Sequence, residues 1–184
     1  LDQGEKVKVI VRSVESLPEL VKQNDRLTFT EASLLDMTDA ELSKQVEGCR
    51  AVASCLGHNL TFQGMFGHPR RLVSDGVQRL CQAIEKTKAD IPVKFILMNT
   101  TGNQNTKAAE KVSIAQSVVV GLIRYLIPPH ADNEVAARYL QSNFAGNQKK
   151  IEWVAVRPDS LINQESVTEY DVYPSPIRSA IFDA

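Results

Sequence analysis

The sequence lacks a long hydrophobic run and an excess of one charge. Its longest apolar stretch, at 118–123, is followed by Arg124 and closed by Pro128 and Pro129. That is too short for the roughly 20 residues of a membrane-spanning helix, so no transmembrane segment is expected. With 21 Lys and Arg against 22 Asp and Glu, the net charge is −1. The chain therefore has no long-range field to attract nucleic acid or an anionic membrane, and we expect a small-molecule partner.

Cysteine is scarce and is not arranged for disulfides or metal. Cys49, Cys55 and Cys81 make an odd count without C-x-x-C spacing, and no signal-like apolar segment opens the sequence. We therefore predict a reduced, cytoplasmic protein. A metal site is not predicted, because no compact set of four ligands is visible around Cys55, His58 and His68.

The composition that remains is that of a globular protein. Hydrophobic residues make up 43% and charged residues 23% of the 184 positions, enough for one domain with a buried core. We expect a single domain over 1–184. Periodicity is weak at 163–184, which we interpret as an irregular tail or a pocket-covering segment.

Short strand-like segments alternate with helix-length segments. The predicted strands are at 6–11, 27–32, 50–56, 93–98 and 151–156. Apolar residues spaced by three and four predict helices at 73–84 and 112–126, and a further helix from about Asp132 with that residue as its N-cap. Nearly continuous apolar strands between helices predict an α/β fold, with a doubly wound parallel sheet covered on both faces.

The beginning of the sequence resembles the end of a helix. Leu1-Asp2-Gln3 followed by Gly4 has the pattern of a last helical turn with glycine at C′. A doubly wound sheet in the order 3-2-1-4-5-6 needs a first strand at its centre. We expect this chain to lack that strand, its glycine-rich turn and most of the first helix, and so to be incomplete at its amino end.

Small and polar residues follow the predicted strands, where an open α/β sheet binds its ligands. The segments are Arg12-Ser13, Ala32-Ser33-Leu34, Cys55-Leu56-Gly57, Asn99-Thr100-Thr101-Gly102 and Arg157-Pro158-Asp159-Ser160-Leu161. In order and spacing they resemble the atypical short-chain dehydrogenase/reductase superfamily, particularly its NmrA-like and extended NAD(P)-binding members. The resemblance covers most of the chain and implies a Rossmann-type domain.

The resemblance also implies a place for the cofactor. The residue after the family's second strand, here Arg12 with Ser13 beside it, selects the cofactor, and a base favours NADP(H) over NAD(H), which stays possible. The remaining cofactor contacts implied by the resemblance are Ser33 and Leu34 at the adenine, Cys55, Leu56 and Gly57 at the adenosine and ribose, Asn99, and Pro158, Asp159, Ser160 and Leu161 at the nicotinamide. Alternatively, Arg12 is a solvated surface residue and Gly57 only ends a strand.

The catalytic residues that the resemblance implies are incomplete. Thr100, or Thr101 instead, occupies the place of the catalytic hydroxyl that polarises a carbonyl, although these hydroxyls could equally cap the next turn. The Tyr-x-x-x-Lys pair is absent, with Pro129 and Asn133 at its two positions. His130 is the candidate proton donor in its place.

Three functions therefore remain open. The first is a reductase or epimerase-like enzyme that moves a hydride between NADP(H) and a small carbonyl or alcohol. The second is a non-catalytic NADP(H)-sensing regulator of the NmrA-like type that acts through a protein partner. The third is a scaffold that binds no nucleotide. The helix at 112–126 could pack within the domain, form a homodimer contact or cover a pocket.

Overall fold

A computed structural model describes residues 4–59, 61–100, 121–122, 128–144, 146, 150–158 and 167–174. Its elements in chain order are β1 (Val7–Val11), α1 (Glu19–Lys22), β2 (Leu27–Glu31), α2 (Asp39–Val46), β3 (Ala51–Ser54), α3 (Phe62–Phe66), α4 (Leu72–Lys86), β4 (Val93–Met98), α5 (Pro128–Asn143) and β5 (Ile151–Val156). The five predicted strands and the helix predicted at 73–84 are confirmed. Most of the helix predicted at 112–126 lies outside the described residues, as do residues 1–3.

All strand pairs are parallel, which confirms the predicted α/β class. β1 pairs with β2, with Val9 opposite Phe29. β4 lies between β3 and β5, with Phe95 opposite both Val52 and Trp153. The two sheets are not joined to each other by a strand pair. That this chain lacks the first strand of a doubly wound sheet stays a prediction.

Contacts near the amino ends of β1 and β3 hold the two sheets together. Glu5, before β1, forms an ion pair with Arg50, before β3, at 2.5 Å. The Lys8 ammonium of β1 donates to the carbonyls of Lys44, Gln45 and Glu47 at the end of α2, at 3.4, 3.2 and 3.0 Å. These bonds bring β1 beside the chain that enters β3.

The core lies between the three-stranded sheet and two helices. Alternate residues of β4, Val93, Phe95 and Leu97, are buried on one face. Against this face pack the apolar sides of α4 and α5, which include Val77, Cys81, Ile84, Ala136 and Leu140. Burial, reinforced by the Glu85 carboxylate, raises the pKa of the Cys81 thiol to about 12. This thiol is therefore a packing group and not a nucleophile.

The predicted start of α5 is wrong. The helix begins at Pro128 and not at about Asp132. Proline is tolerated in the first turn, where its missing N–H has no acceptor and its fixed φ suits the helix. Asp132 is thus the fifth residue of α5 and not its N-cap. Its carboxylate caps a different helix, as the contacts at the site show.

Candidate functional site

The carboxyl ends of β1 and β2 present an exposed guanidinium beside a fixed loop. Arg12 follows β1, is exposed, and makes no hydrogen bond or ion pair with any residue that the structure describes. Next to it, the Ser13 carbonyl accepts from the Ser16 hydroxyl at 2.8 Å. The Glu31 carboxylate, at the end of β2, accepts from the Val14 amide at 3.2 Å. The loop after β1 is therefore held while the Arg12 head group stays available.

The loop after β2 is fixed by a single arginine of α4. The Arg79 guanidinium donates to the carbonyls of Leu34 at 3.0 Å and Leu35 at 2.6 Å, and also to that of Met37. Its side chain is only 22% exposed. Ser33 and Leu34, the predicted adenine contacts, thus belong to a loop whose backbone is fixed to α4.

The turn after β3 is open on one side and closely packed on the other. Cys55 and Gly57 are exposed, and a Cβ on Gly57 would meet nothing within 4 Å. Leu56 turns inward and packs against the core. A Cβ on Gly76 of α4 would lie 2.4 Å from Leu56 Cδ1 and 3.6 Å from Leu34 Cδ2. Glycine at 76 therefore allows α4 to approach both predicted cofactor turns closely.

A buried His–Asp pair follows this turn directly. His58 Nε2 lies 2.9 Å from Asp132 Oδ2, and His58 Nδ1 lies 3.2 Å from the Gly64 carbonyl. Asp132 also accepts from the amides of Val73 at 2.7 Å and Ser74 at 3.1 Å, in the first turn of α4. The two side chains are 5% and 2% exposed. Asp132 therefore caps α4 from α5 and holds the loop after β3 at the same time.

The ends of β4 and β5 are joined through Asn99. Its backbone amide donates to the Val156 carbonyl at 2.8 Å, and its side-chain amide donates to the Asn133 carbonyl of α5 at 3.2 Å. Its side-chain oxygen accepts from the Thr100 amide at 2.8 Å. Asn99 is buried, whereas Thr100 is exposed. Asn99 thus fixes the edge on which Thr100 presents its hydroxyl, and a cofactor contact of Asn99 stays a prediction.

His130, the candidate proton donor, lies in α5. It belongs to the first turn of α5, its side chain is 11% exposed, and Nε2 lies 3.5 Å from Glu134 Oε1. Pro129 and Asn133, at the expected Tyr and Lys positions, are on the same helix, and the Asn133 side chain donates to the Pro129 carbonyl at 3.2 Å. A catalytic role for His130 stays a prediction.

Several predicted site residues lie outside the described residues: Thr101, Asp159, Ser160 and Leu161. Pro158 is described; it is half-buried and lies two residues after the end of β5. Sequence reasoning missed the residues that hold the turns, namely His58, Gly76, Arg79 and the true role of Asp132. Only Gly76 carries a local signal, because glycine inside a helix indicates close packing. The partners of the others are as far as 74 residues away.

The carboxyl edge fits a dinucleotide better than a metal. Arg12 supplies an available cation, Gly57 permits close backbone approach, and Thr100 presents a hydroxyl. Within the described ranges, no three His, Cys, Asp or Glu side chains are grouped to hold a metal ion. Nor does any helix in this part of the chain have the length and apolar character to cross a membrane.

Comparisons with known proteins concern the ligand class and the fold. A family model described as NAD(P)H-binding matches residues 1–178. A short-chain dehydrogenase/reductase from Burkholderia vietnamiensis is structurally similar, with 15% identity and a TM-score of 0.55, over 88% of this chain and 75% of that one. ChuY, an anaerobillin reductase from Escherichia coli O157:H7, shares 15% identity with a TM-score of 0.47, over 85% of this chain and 62% of its own. None of the curated proteins matches the sequence.

The structural likeness and the family match show different things. At 15% identity, the Burkholderia structure shows the fold, in which parallel strands are flanked by helices. The match over residues 1–178 shows the ligand class, a nicotinamide dinucleotide. The chain therefore belongs to the NAD(P)H-binding family, and its fold is of the Rossmann type.

Proposed function

We propose that this protein binds NADP(H) at the carboxyl edge of its strands and transfers a hydride between it and a small carbonyl or alcohol. The observation that carries the proposal is the exposed guanidinium of Arg12 directly after β1, which no described residue engages. In Rossmann-type proteins the residue at this strand end selects the cofactor. A guanidinium suits the 2′-phosphate, because it can donate two parallel hydrogen bonds to phosphate oxygens.

The neighbouring turns supply the rest of the binding surface in this proposal. Ser33 and Leu34 contact the adenine, and the exposed backbone of the Cys55–Gly57 turn contacts the adenosine ribose. Pro158 to Leu161 contact the nicotinamide end. Arg79 of α4 fixes the first of these turns, and Asp132 of α5 fixes the second through His58. This fixation supports the assignment, because a preorganised loop loses less conformational entropy when its ligand binds.

Thr100 orients and polarises the substrate. When bound, NADPH supplies the hydride. The Thr100 hydroxyl donates a hydrogen bond to the substrate carbonyl oxygen, whose negative charge grows during the reaction. Asn99 fixes the Thr100 backbone through the 2.8 Å bond to its amide. His130 is the candidate donor of the proton to the substrate oxygen. It lies one helical turn before Asn133, whose carbonyl accepts from the Asn99 side chain.

Replacing Arg12 with alanine is expected to weaken NADPH binding about 10- to 100-fold and to leave NADH binding nearly unchanged. A charge-assisted contact contributes about 1.5 to 3 kcal/mol, and only NADPH carries the 2′-phosphate. Calorimetric titration with both nucleotides measures the effect. Arg26→Ala is the matched control, because Arg26 is exposed and directly precedes β2 at the opposite edge. Equal losses for NADPH and NADH would contradict the assignment of Arg12.

Replacing Thr100 with valine should lower kcat/KM for a carbonyl substrate by about 100-fold, since one oxyanion-stabilising donor is lost. Valine keeps the shape of threonine, and the Thr100 amide keeps its bond to Asn99. NADPH affinity should therefore stay within about twofold of the original. Steady-state kinetics with calorimetry separates the two quantities. Unchanged turnover would exclude the hydroxyl from the reaction.

The second candidate function is a regulator that senses NADP(H) without turnover. The observation that favours it is the pair Pro129 and Asn133 on α5, where the resemblance expects the Tyr and Lys that move the proton. A panel of aldehydes and ketones with NADPH separates the two functions. Binding of NADPH without oxidation in any assay would favour the regulator, whereas no binding of either nucleotide would contradict both.

A further inference from the structure

We propose that Phe62 and Phe66 of α3 form an aromatic surface that binds a flat apolar ring of the carbonyl substrate. The inference rests on the proposed function, because it takes Thr100 to hold the substrate carbonyl, and it names the substrate class of that same site. The observation that carries it is an exposed pair of rings on a short helix after β3. Phe62 is 78% exposed and Phe66 is 40% exposed.

The two rings contact each other and not the core. Their centroids lie 5.0 Å apart, and their planes are tilted by 43°. Such a separation is typical of aromatic pairs that attract each other. Neither ring is part of the hydrophobic core that the described residues form. Packing in the core therefore does not account for these two aromatic residues, and their outer surface is available to a third ring.

Local contacts hold α3 in place. Thr61 caps its first turn, since the Thr61 hydroxyl accepts from the Gly64 amide at 3.1 Å. The Gly64 carbonyl lies 3.2 Å from His58 Nδ1, and a Cβ on Gly64 would collide with the Asn59 carbonyl. The two rings are therefore presented by an ordered segment. A surface that is already ordered loses less conformational entropy when a ligand binds.

α3 and Thr100 are both connected to α5. α3 belongs to the connection that leaves the carboxyl end of β3, and it packs against α5. On the same helix, the Asn133 carbonyl accepts from the Asn99 side chain at 3.2 Å. Asn99 directly precedes Thr100 and accepts from its amide at 2.8 Å. In this proposal, a substrate whose carbonyl lies at Thr100 extends along this edge toward the two rings of α3.

The chemistry and the size of this surface favour a small neutral ring over a protein partner. α3 has the sequence FQGMF and carries no charged side chain. An aromatic side chain buries about 150 to 250 Å², so the exposed fractions leave roughly 180 to 300 Å² on the pair. A stable protein interface needs about 800 Å² on each partner. The available area is therefore well below that of a protein interface and suits a small ring compound.

Three variants and two carbonyl substrates test the proposal. Naphthaldehyde carries a flat apolar ring, whereas propanal has none. Phe62→Ala removes one ring of the surface, and Phe62→Tyr keeps it. Ile91→Ala is the control, because Ile91 is an exposed apolar residue two positions before β4, at the opposite edge. Steady-state kinetics with NADPH gives kcat and KM for each substrate, and calorimetry gives the affinity for NADPH.

Phe62→Ala should raise KM for naphthaldehyde about five- to tenfold and leave its kcat unchanged. The reason is that a ring contact away from the reacting carbonyl stabilises the bound substrate and the transition state equally. KM for propanal and the affinity for NADPH should stay within about twofold of the original. Phe62→Tyr and Ile91→Ala should behave as the original does with both substrates. A merely structural role of Phe62 would instead change propanal turnover as well.

The outcomes separate this inference from the proposed function. If the original protein reduces naphthaldehyde and Phe62→Ala leaves its KM unchanged, the inference is overturned while the proposed function stands. A dimer in analytical ultracentrifugation that Phe62→Ala dissociates would assign the rings to an interface between two copies, and would also overturn the inference.

A binding measurement covers the case in which no carbonyl is reduced. Nuclear magnetic resonance of naphthyl methanol, the alcohol that corresponds to naphthaldehyde, detects binding without turnover. Binding to the original protein that is lost in Phe62→Ala would support the aromatic surface although hydride transfer is contradicted. No binding to the original protein would contradict both.

Discussion

Replacing Asp132 with alanine is expected to lower the free energy of unfolding by about 3 to 4 kcal/mol. The carboxylate accepts from two amides of the first turn of α4 and lies 2.9 Å from His58 Nε2. Removing it leaves buried donors unpaired, and each costs about 1 to 3 kcal/mol. An N-cap alone contributes about 1 kcal/mol, so the expected loss exceeds that of an ordinary cap. Urea unfolding followed by circular dichroism measures the change.

Two further variants separate the causes of this loss. Asp132→Asn keeps one oxygen acceptor and the side-chain volume, so we expect about half of the loss. Asp75→Ala removes an acid from the first turn of the same helix, but that acid is exposed and pairs with Arg71. It should cost less than about 1 kcal/mol, the range of a helix-dipole contact. Equal losses in Asp75→Ala and Asp132→Ala would show that helix charge alone is responsible.

Replacing Arg79 with methionine is expected to cost about 2 to 3 kcal/mol. Methionine keeps an unbranched stem, so the main loss is the bonds to the carbonyls of Leu34, Leu35 and Met37. A hydrogen bond to a charged group contributes about 1.5 to 3 kcal/mol. Part of this energy is recovered, because the released carbonyls form hydrogen bonds to water. Chemical unfolding gives the energy, and hydrogen exchange at 33–37 shows which segment is released.

Lys86→Met is the matched control for Arg79. Lys86 lies two turns further along α4 and pairs with Asp39 at 2.8 Å on the exposed surface. Because exposed ion pairs contribute little, the unfolding midpoint should stay nearly unchanged. If Arg79→Met also leaves the midpoint unchanged and exchange at 33–37 is no faster, the guanidinium does not hold the loop.

The parts of the fold that the sequence predicted are those with a local pattern. β4 was predicted because an apolar run follows Pro92, and α4 because Val73, Val77 and Leu80 recur on one helical face. Burial of these apolar side chains stabilises the fold directly, and Val73 and Val77 are fully buried. The positions of Arg12 and Thr100 were predictable for the same reason, because a strand end follows from its strand.

The residues that hold the turns could not be predicted from local pattern. Asp132 was assigned to the start of its own helix because an acid after two prolines is a common N-cap. Its actual partners, Val73 and Ser74, lie 59 and 58 residues away. Arg79 likewise bonds a loop more than 40 residues earlier. Such contacts depend on how the helices pack, and no spacing within one segment encodes them.

The cap that Asp132 provides has a consequence for the order of folding. The first turn of α4 receives this acceptor only after α5 has docked, because Val73 and Asp132 are 59 residues apart and β4 lies between the two helices. Contacts across such sequence distances form late, because closing the intervening chain costs entropy. We therefore expect loss of the Asp132 carboxylate to accelerate unfolding and to leave the refolding rate nearly unchanged. Asp132 then contributes to the kinetic lifetime of the native state, independently of what the site binds.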